Sequence, residues 1–538
     1  MKLNFIFRLK IILPLFFLFA ISCNCKKNIS LSTDDSKFKI TVDTKDIISS
    51  YNKSMLLGTN TGVFFRESYY LNHDFINYLE QINPGILRMP GGSWSNELYW
   101  NGNKVRISKE SYIEADTWKK TIENGGNPIE VAFDTTRYKN GKWDVDYSGY
   151  SPGFRIRDIQ HHLSDYHGMT DVLFLHKFIQ SFGCETMVTV NMGTGTVDMA
   201  VEWVKWTKTR KNYLFEPFDV KYWELGNELD GKWELGHYLE DGSEMDAKEY
   251  IKRYKLFTKA MKKADPDIKV GGSVASSMKL AFIEELIKDT DAPLDFVSFH
   301  AYPARRIKGD LLKMIKEAIR INDAVAKIKK WIADYRPDQK DSIEIAVTEW
   351  NIKVKEDIST IDLRNTLWSA VMIGEMAKAG VDIAIQWDIF STKEEGGHGL
   401  FNPEDKDLKP HSQYWAMYLW NKFMGSKMVK TQIDAPEFIR VYATIENNEV
   451  SVMLINSSKS QSVDIDILFP KEKLRNRFEV ITFSNNQYIL EKKSLNPVKS
   501  VPPMVEVMSN ASSKDISIAP YSIKVIKYKL DTMKVIND

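Results

Sequence analysis

Two glutamates carry the chemistry around which this sequence is arranged. Glu228 closes the run Lys221-Tyr222-Trp223-Glu224-Leu225-Gly226-Asn227-Glu228, and Glu349 closes Ile345-Ala346-Val347-Thr348-Glu349. In both, an apolar stretch of strand length ends in a polar cluster. A carboxylate at the exit of a buried strand serves packing poorly, because charged groups are almost never buried unless paired. Two carboxylates facing each other across a cleft suit acetal cleavage by an acid/base and a nucleophile. Retaining hydrolysis of a glycosidic bond requires about 5–5.5 Å between the two groups. The acid/base must stay protonated near neutral pH, which burial and a neighbouring carboxylate both promote. Asn227, beside Glu228, suits a hydrogen bond to a sugar hydroxyl.

Such an arrangement needs both residues at the same end of one sheet. From about Met55, short apolar runs alternate with amphipathic stretches, the rhythm of repeated βα units. Strands are expected at 55–58, 85–89, 186–191, 220–226, 269–272, 295–300, 344–348 and 383–387. Helices are expected at 74–82, 170–181, 197–208, 247–263, 281–288, 311–334, 363–379 and 413–423. Thr170 with Asp171, and Asp246 before Ala247, mark helix starts. The pattern predicts an α/β fold: a (β/α)8 TIM barrel over residues 51–426. Glu228 then ends the fourth strand and Glu349 the seventh, opposite one another at the barrel mouth. A doubly wound sheet fits less well, since no Gly-rich phosphate loop follows the first strand.

Residues 91–164 are too long for a βα loop. They are aromatic-rich, with Trp94, Tyr99, Trp100, Tyr112, Trp118 and Trp143 among others. Following the second strand, this insertion must leave the catalytic face, either as a substrate platform or as an elaboration with its own core. After Lys427 the βα rhythm stops, and residues 427–538 read as a C-terminal antiparallel β-sandwich, joined by a strand at 38–50.

The chain's 538 residues allow a large domain and a smaller one, and 43% hydrophobic against 27% charged residues is ordinary for a globular core. A formal net charge of +1 gives no reason to expect nucleic acid as partner. At the N-terminus, Lys2, Arg8 and Lys10 precede an apolar run from Ile11 to Ile21, too short for a comfortable span. The run ends in Ala20-Ile21-Ser22-Cys23, which resembles a bacterial lipoprotein processing site. Residues 1–22 are then a signal peptide, Cys23 the lipidated residue, and 23–37 a tether. The implied location is the bacterial cell envelope, with contact to membrane only through the lipid anchor. Cys184 is the one cysteine beyond the tether, so no disulfide framework is possible, and no metal spacing occurs.

Several stretches carry a likeness to known proteins. Trp223-Glu224-Leu225-Gly226-Asn227-Glu228 and Thr348-Glu349-Trp350-Asn351 resemble the acid/base and nucleophile motifs of clan A glycoside hydrolases. Leu87-Arg88-Met89-Pro90-Gly91-Gly92, Asn191-Met192-Gly193-Thr194-Gly195-Thr196, Gly226-Asn227-Glu228-Leu229-Asp230-Gly231-Lys232-Trp233 and His300-Ala301-Tyr302 are similar to family 51, the α-L-arabinofuranosidases. The resemblance covers roughly residues 54–425. It implies that Glu228 is the acid/base, Glu349 the nucleophile, and Asn227 the ligand of the sugar 2-hydroxyl. It places Arg88 at the base of the pocket, helping keep Glu349 ionised. His300 and Tyr302 would line the sugar site, with Tyr302 bonding Glu349. The substrate class is polysaccharide or oligosaccharide, and no cofactor or metal is implied. The chain departs from the family at Ser93, where Asn is usual, and in having no Glu within Gly58-Thr59-Asn60-Thr61-Gly62, the stretch corresponding to the family's Glu shortly after the first strand. Both positions read the furanose, so an endo-acting β-glycanase of the same clan is a second expectation. A non-catalytic surface glycan-binding lipoprotein is a third.

Other residues have two readings. Trp350 and Trp387, at strand ends, are sugar platforms or, for Trp387, equally barrel core. His398 is either a ligand or a loop residue. Asn191 and Thr194 are expected to shape a loop, and Glu224 to face outward or pair locally.

Overall fold

The computed structural model describes residues 37–62, 72–96, 100, 172–209, 217–239, 242–352, 358–391, 398–403, 405–509 and 516–531, plus two short antiparallel strand pairs, 105–106 with 112–113 and 138–139 with 142–143. The leader, Cys23, the cap at Thr170 and Asp171, and most of the aromatic insertion 91–164 lie outside the described residues.

A first strand, β1 (Phe38–Ser50), precedes the barrel. Eight parallel strands then close on themselves: β2 (Gly58–Asn60), β3 (Ile86–Met89), β4 (Glu185–Val190), β5 (Tyr222–Leu225), β6 (Lys269–Ala275), β7 (Phe296–Ala301), β8 (Glu344–Trp350) and β9 (Ile383–Gln386), with β9 pairing back onto β2. Alternation sorts their side chains. Ile86, Met187, Tyr222, Phe296, Ala346, Ile383 and Ile385 form a small apolar cluster inside the barrel. Two residues further along, the same inward face presents Arg88, Thr189 and Glu224, all buried. The barrel floor is therefore apolar and the layer above it is charged.

Strand β8 breaks this parity. Its pairing with β7 runs Phe299 to Val347 and then His300 to Glu349, leaving Thr348 as an extra residue. The irregularity turns Glu349 inward and Trp350 outward. Trp350 is fully buried on the helix side, its ring 6.3 Å from Trp368. The expectation that Trp350 is a sugar platform is thereby corrected: it packs in the core between sheet and helices.

The surrounding helices are capped as their sequences direct. Asp246 accepts from Glu249 N (2.8 Å) at the start of Ala247–Ala264, and Asp362 accepts from Arg364 N (2.9 Å) at the start of α1 (Leu363–Ala379). Helix α1 ends at Gly380, whose φ of 73° is the left-handed conformation glycine adopts freely. The helix expected over 311–334 is two helices, Leu311–Ile319 and Ile321–Tyr335, because Arg320 N closes a tight turn on Glu317 O. Trp100, in the insertion, donates to Met199 O (2.8 Å) and stacks on Trp203, so it packs against a barrel helix.

After the barrel, β10 (Lys427–Asp434), β11 (Ile439–Glu446), β12 (Glu449–Asn456), β13 (Val463–Leu468) and further strands to Ser522–Leu530 build a nine-stranded sheet. β1 lies within it, antiparallel to β10 and parallel to β13. A core of Ile40, Val42, Val452, Ile465, Ile518 and Ile526 fills the fold between its two halves.

The two domains interlock at Tyr442. This buried phenol donates to Glu375 of α1 (2.8 Å), and its ring lies over Gly374, where a Cβ would meet the Tyr442 ring at 2.6 Å. Replacing a helical glycine by alanine normally stabilises by about 1 kcal/mol. Overpacking against a fixed ring costs about 1–3 kcal/mol. Gly374→Ala is therefore expected to destabilise the chain, read as a lower urea midpoint, and a raised midpoint would contradict this packing.

Candidate active site

The acid/base candidate leaves its strand through an unusual turn. After β5 the chain passes Gly226 (φ 81°), Asn227 and Glu228 (φ 47°). A left-handed non-glycine residue costs on the order of 1–3 kcal/mol and persists only where its surroundings impose it. Here Glu228 N donates to Val274 O (3.1 Å) and Gly231 N to Glu228 O (2.7 Å). The turn swings the Glu228 side chain over the barrel mouth, where it is 14% exposed.

Glu349 comes from the opposite wall and is 7% exposed. Its Oε1 accepts from Arg88 Nη1 (2.9 Å) and its Oε2 from the Tyr302 hydroxyl (2.8 Å). His300 lies between the carboxylates, with Nδ1 at 2.6 Å from Glu228 Oε1 and 3.5 Å from Glu349 Oε2. Facing atoms of Glu228, His300 and Glu349 all lie within 4.8 Å of one another. An approach this close is nearer to the spacing of retaining glycosidases, about 5–5.5 Å, than to that of inverting ones, about 6.5–9.5 Å.

Beneath them Arg88 is fully buried and donates in four directions: to Glu224 Oε2 (2.6 Å), Asn60 Oδ1 (3.0 Å), Glu349 Oε1 and Asn227 Oδ1 (2.9 Å). Glu224 thus faces the barrel interior, correcting the expectation that it turns outward or pairs locally. Its Oε2 also accepts from Thr189 Oγ1 (3.0 Å). Asn60 is held in turn by donating to Thr348 O and Gln386 O.

Burial acts first on each titratable partner. It would lower the His300 imidazole, but Glu349 and Glu228 outweigh it and hold His300 above its ordinary value. Burial, reinforced by Glu349, holds the Tyr302 phenol well above the usual range, so Tyr302 stays a hydrogen-bond donor. Asp388, buried just past β9, is likewise pushed well above the carboxylate range by burial, with Glu349 adding to the shift and Ser391 opposing it.

The remaining sequence candidates divide. Trp387 is half-buried and lies over the Gly91-Gly92 turn, where a Cβ on Gly92 would meet its ring at 2.5 Å. It belongs to the mouth. His398 is buried, and its carbonyl accepts from Asn351 and Gln413. Asn191 accepts from Thr194 N and Gly195 N, the loop-shaping role expected of it. Trp233, Glu234, Asn96 and Asp388 join the site without having been singled out by sequence. The signal that could have found Trp233 and Glu234 is their position directly after the Glu228 motif.

Glu228, His300 and Glu349 are also the one group of metal-ligating type found among the described residues. The fixed guanidinium of Arg88 at 2.9 Å from Glu349 opposes a cation there.

The closed barrel with paired carboxyls at its mouth is similar to known glycoside hydrolases. Residues 232–459 match the model of glycosyl hydrolases family 39. A probable alpha-L-arabinofuranosidase C from Aspergillus clavatus is 24% identical over 342 residues, covering 54% of this chain and 65% of that protein. The chain thus spans less than two thirds of that relative's length. An intracellular exo-alpha-(1->5)-L-arabinofuranosidase from Halalkalibacterium halodurans is 27% identical over 187 residues, 32% of this chain and 36% of that protein. Among solved structures, the alpha-L-arabinofuranosidase of Thermotoga maritima in complex with arabinose aligns with a TM-score of 0.64 at 19% identity, covering 92% of this chain and 100% of that one. A family 44 xyloglucanase from Paenibacillus polymyxa aligns at 0.58 and 15%, with 92% and 100% covered. These likenesses support a clan A glycoside hydrolase scaffold resembling the arabinofuranosidases.

His300 makes the site's charge measurable. A group raised in the folded state adds stability below its unfolded value, about 6.5 for histidine, and loses it as pH rises through the folded value. Urea unfolding of the wild type should therefore lose more stability than His300→Gln as pH climbs above about 6.5. Parallel profiles for the two proteins would contradict the assignment.

Proposed function

We propose that this chain is a retaining glycoside hydrolase that cleaves polysaccharide or oligosaccharide by double displacement, with an arabinofuranosidase-like specificity. The observation that carries the reading is the close approach of Glu228 and Glu349, with Arg88 and Tyr302 donating to both oxygens of Glu349. In the first step a Glu349 oxygen attacks the anomeric carbon while Glu228 gives its proton to the departing glycosidic oxygen. A glycosyl ester forms on Glu349 and the leaving alcohol departs neutral. In the second step Glu228, now a carboxylate, takes a proton from water; the water oxygen attacks the anomeric carbon and Glu349 is released. Asn227, oriented by Arg88, offers an amide N–H to the sugar 2-hydroxyl.

The relatives named above support arabinofuranoside as substrate. Ser93 and the absence of Glu from residues 58–62 favour a second reading, an endo-acting β-glycanase. Aryl α-L-arabinofuranosides and a panel of β-glycans separate the two. The wild type is expected to release sugar with net retention by NMR, and Glu349→Ala to lose at least about a thousandfold in kcat, within the range seen when an essential nucleophile is removed. An inverted first product would sink the assignment of Glu349, and glycan binding without hydrolysis across the panel would leave a non-catalytic binding protein.

We further propose export and acylation at Cys23, which would tether the protein to the bacterial cell envelope. The support is the charged start, the short apolar run and Ala20-Ile21-Ser22-Cys23. In cells fed labelled palmitate, the wild type should carry label in the membrane fraction, and label persisting in Cys23→Ser would refute acylation there.

A further inference from the structure

The loop that follows Glu228 folds back and holds the site from behind. Two consecutive residues do this. The Trp233 indole donates to Glu228 Oε2 (2.9 Å), and Glu234 turns the other way, beneath Asn227. Glu234 is 1% exposed, an unusual depth for a carboxylate. Its Oε1 accepts from Ser93 Oγ (2.6 Å) and its Oε2 from Asn96 Nδ2 (2.7 Å). Asn96 in turn grips the backbone at Asn227, donating to its carbonyl (2.7 Å) and accepting from its N–H (3.1 Å).

Asn227 therefore lies between a guanidinium and a carboxylate. Its Oδ1 accepts from Arg88 Nη2 (2.9 Å), while its Nδ2 faces Glu234 Oε1 at 3.5 Å. Arginine can only donate and an ionised carboxylate can only accept. An amide placed between them has one orientation: oxygen toward Arg88, nitrogen toward Glu234. With the flipped orientation, N–H would face N–H on one side and oxygen would face oxygen on the other. One N–H of Asn227 is spent toward Glu234, and the second is left in a fixed direction for a sugar hydroxyl.

We infer that Glu234 is a positioning residue that sets the orientation of the Asn227 amide and so strengthens its contact with the substrate's 2-hydroxyl. A neutral Gln at 234 can donate as well as accept, so the orientation is then selected by Arg88 alone and is held less strictly. The inference rests on the hydrolase reading above and adds to it a residue that never touches the reacting atoms.

The test uses the full chain and an aryl glycoside that it hydrolyses, alongside the 2-deoxy analogue of that glycoside. Glu234→Gln should lower kcat/KM on the parent glycoside by about fivefold to tenfold, the size of one hydrogen bond, chiefly in kcat. On the 2-deoxy analogue the same variant should match wild type. Equal losses on both substrates would mean that Glu234 is merely structural, and no loss on either would mean that it does not act; both overturn the inference while leaving the hydrolase reading intact. A wild type inactive on every glycoside would overturn the hydrolase reading and this inference with it. Should Glu234→Gln fail to fold, Ser93→Ala, which removes one donor from the same carboxylate, must show the same selective loss to a smaller degree; equal or absent losses there overturn the inference too.

Discussion

Arg88 is the constraint on which the site depends. A guanidinium with no solvent exposure sits inside the barrel, one layer above an apolar floor. Removing such an ion from water carries an effective penalty of several kcal/mol. Glu224 at 2.6 Å and Glu349 at 2.9 Å oppose that penalty. At an effective dielectric of about 20, each unit-charge pair contributes on the order of 4 kcal/mol near 4 Å separation. The two carboxylates are themselves buried and carry their own desolvation cost, so the further hydrogen bonds that Arg88, Thr189 and Tyr302 supply are needed to hold the cluster. Burial pulls the Arg88 guanidinium down, and the two glutamates outweigh it and raise it. Glu349 is thus held where the charge balance of the barrel requires a carboxylate, and the same placement aims it at the mouth.

The remaining geometry radiates from that cation. Arg88 fixes the oxygen side of Asn227, Glu234 and Asn96 fix its other side, and Asn60 ties the first barrel strand to the eighth. Each contact links residues distant in sequence, so the site is as rigid as the barrel that carries it. The sandwich adds support from outside, through Tyr442 on α1 and through the Trp415 indole donating to Ser500 Oγ (2.8 Å). Supports of this kind matter because catalytic groups must stay within about 0.5 Å of productive geometry.

Two features of the mouth account for departures from the family pattern. Ser93 stands where an Asn is usual, and its hydroxyl is committed to Glu234, so the position serves the Asn227 support. The stretch 58–62 holds no glutamate, and Asp388 lies against it: a Cβ on Gly62 would fall 2.9 Å from Asp388 Oδ2. Among the described residues, the carboxyl beside Gly62 is that of Asp388, just past β9.

By itself the sequence determined the barrel, its strand order, and which ends of the strands carry polar clusters. Periodicity is a local property of the chain, and motifs such as Gly226-Asn227-Glu228 or His300-Ala301-Tyr302 need no partner to be read. The side chains brought together at the mouth, Glu228, Glu349, Arg88, Asn227, His300 and Tyr302, are all among those the motifs singled out. What only the tertiary structure decided is parity and pairing. An extra residue at Thr348 reverses the faces of β8, sending Glu349 inward and Trp350 into the helix layer, and no pattern along the strand announces it. Glu224 looks like any strand glutamate until β3 brings Arg88 against it. Glu234 looks like a loop carboxylate until Ser93 and Asn96 close over it. A buried charge takes its meaning from its partners, and those partners arrive only when strands far apart in sequence close into one barrel.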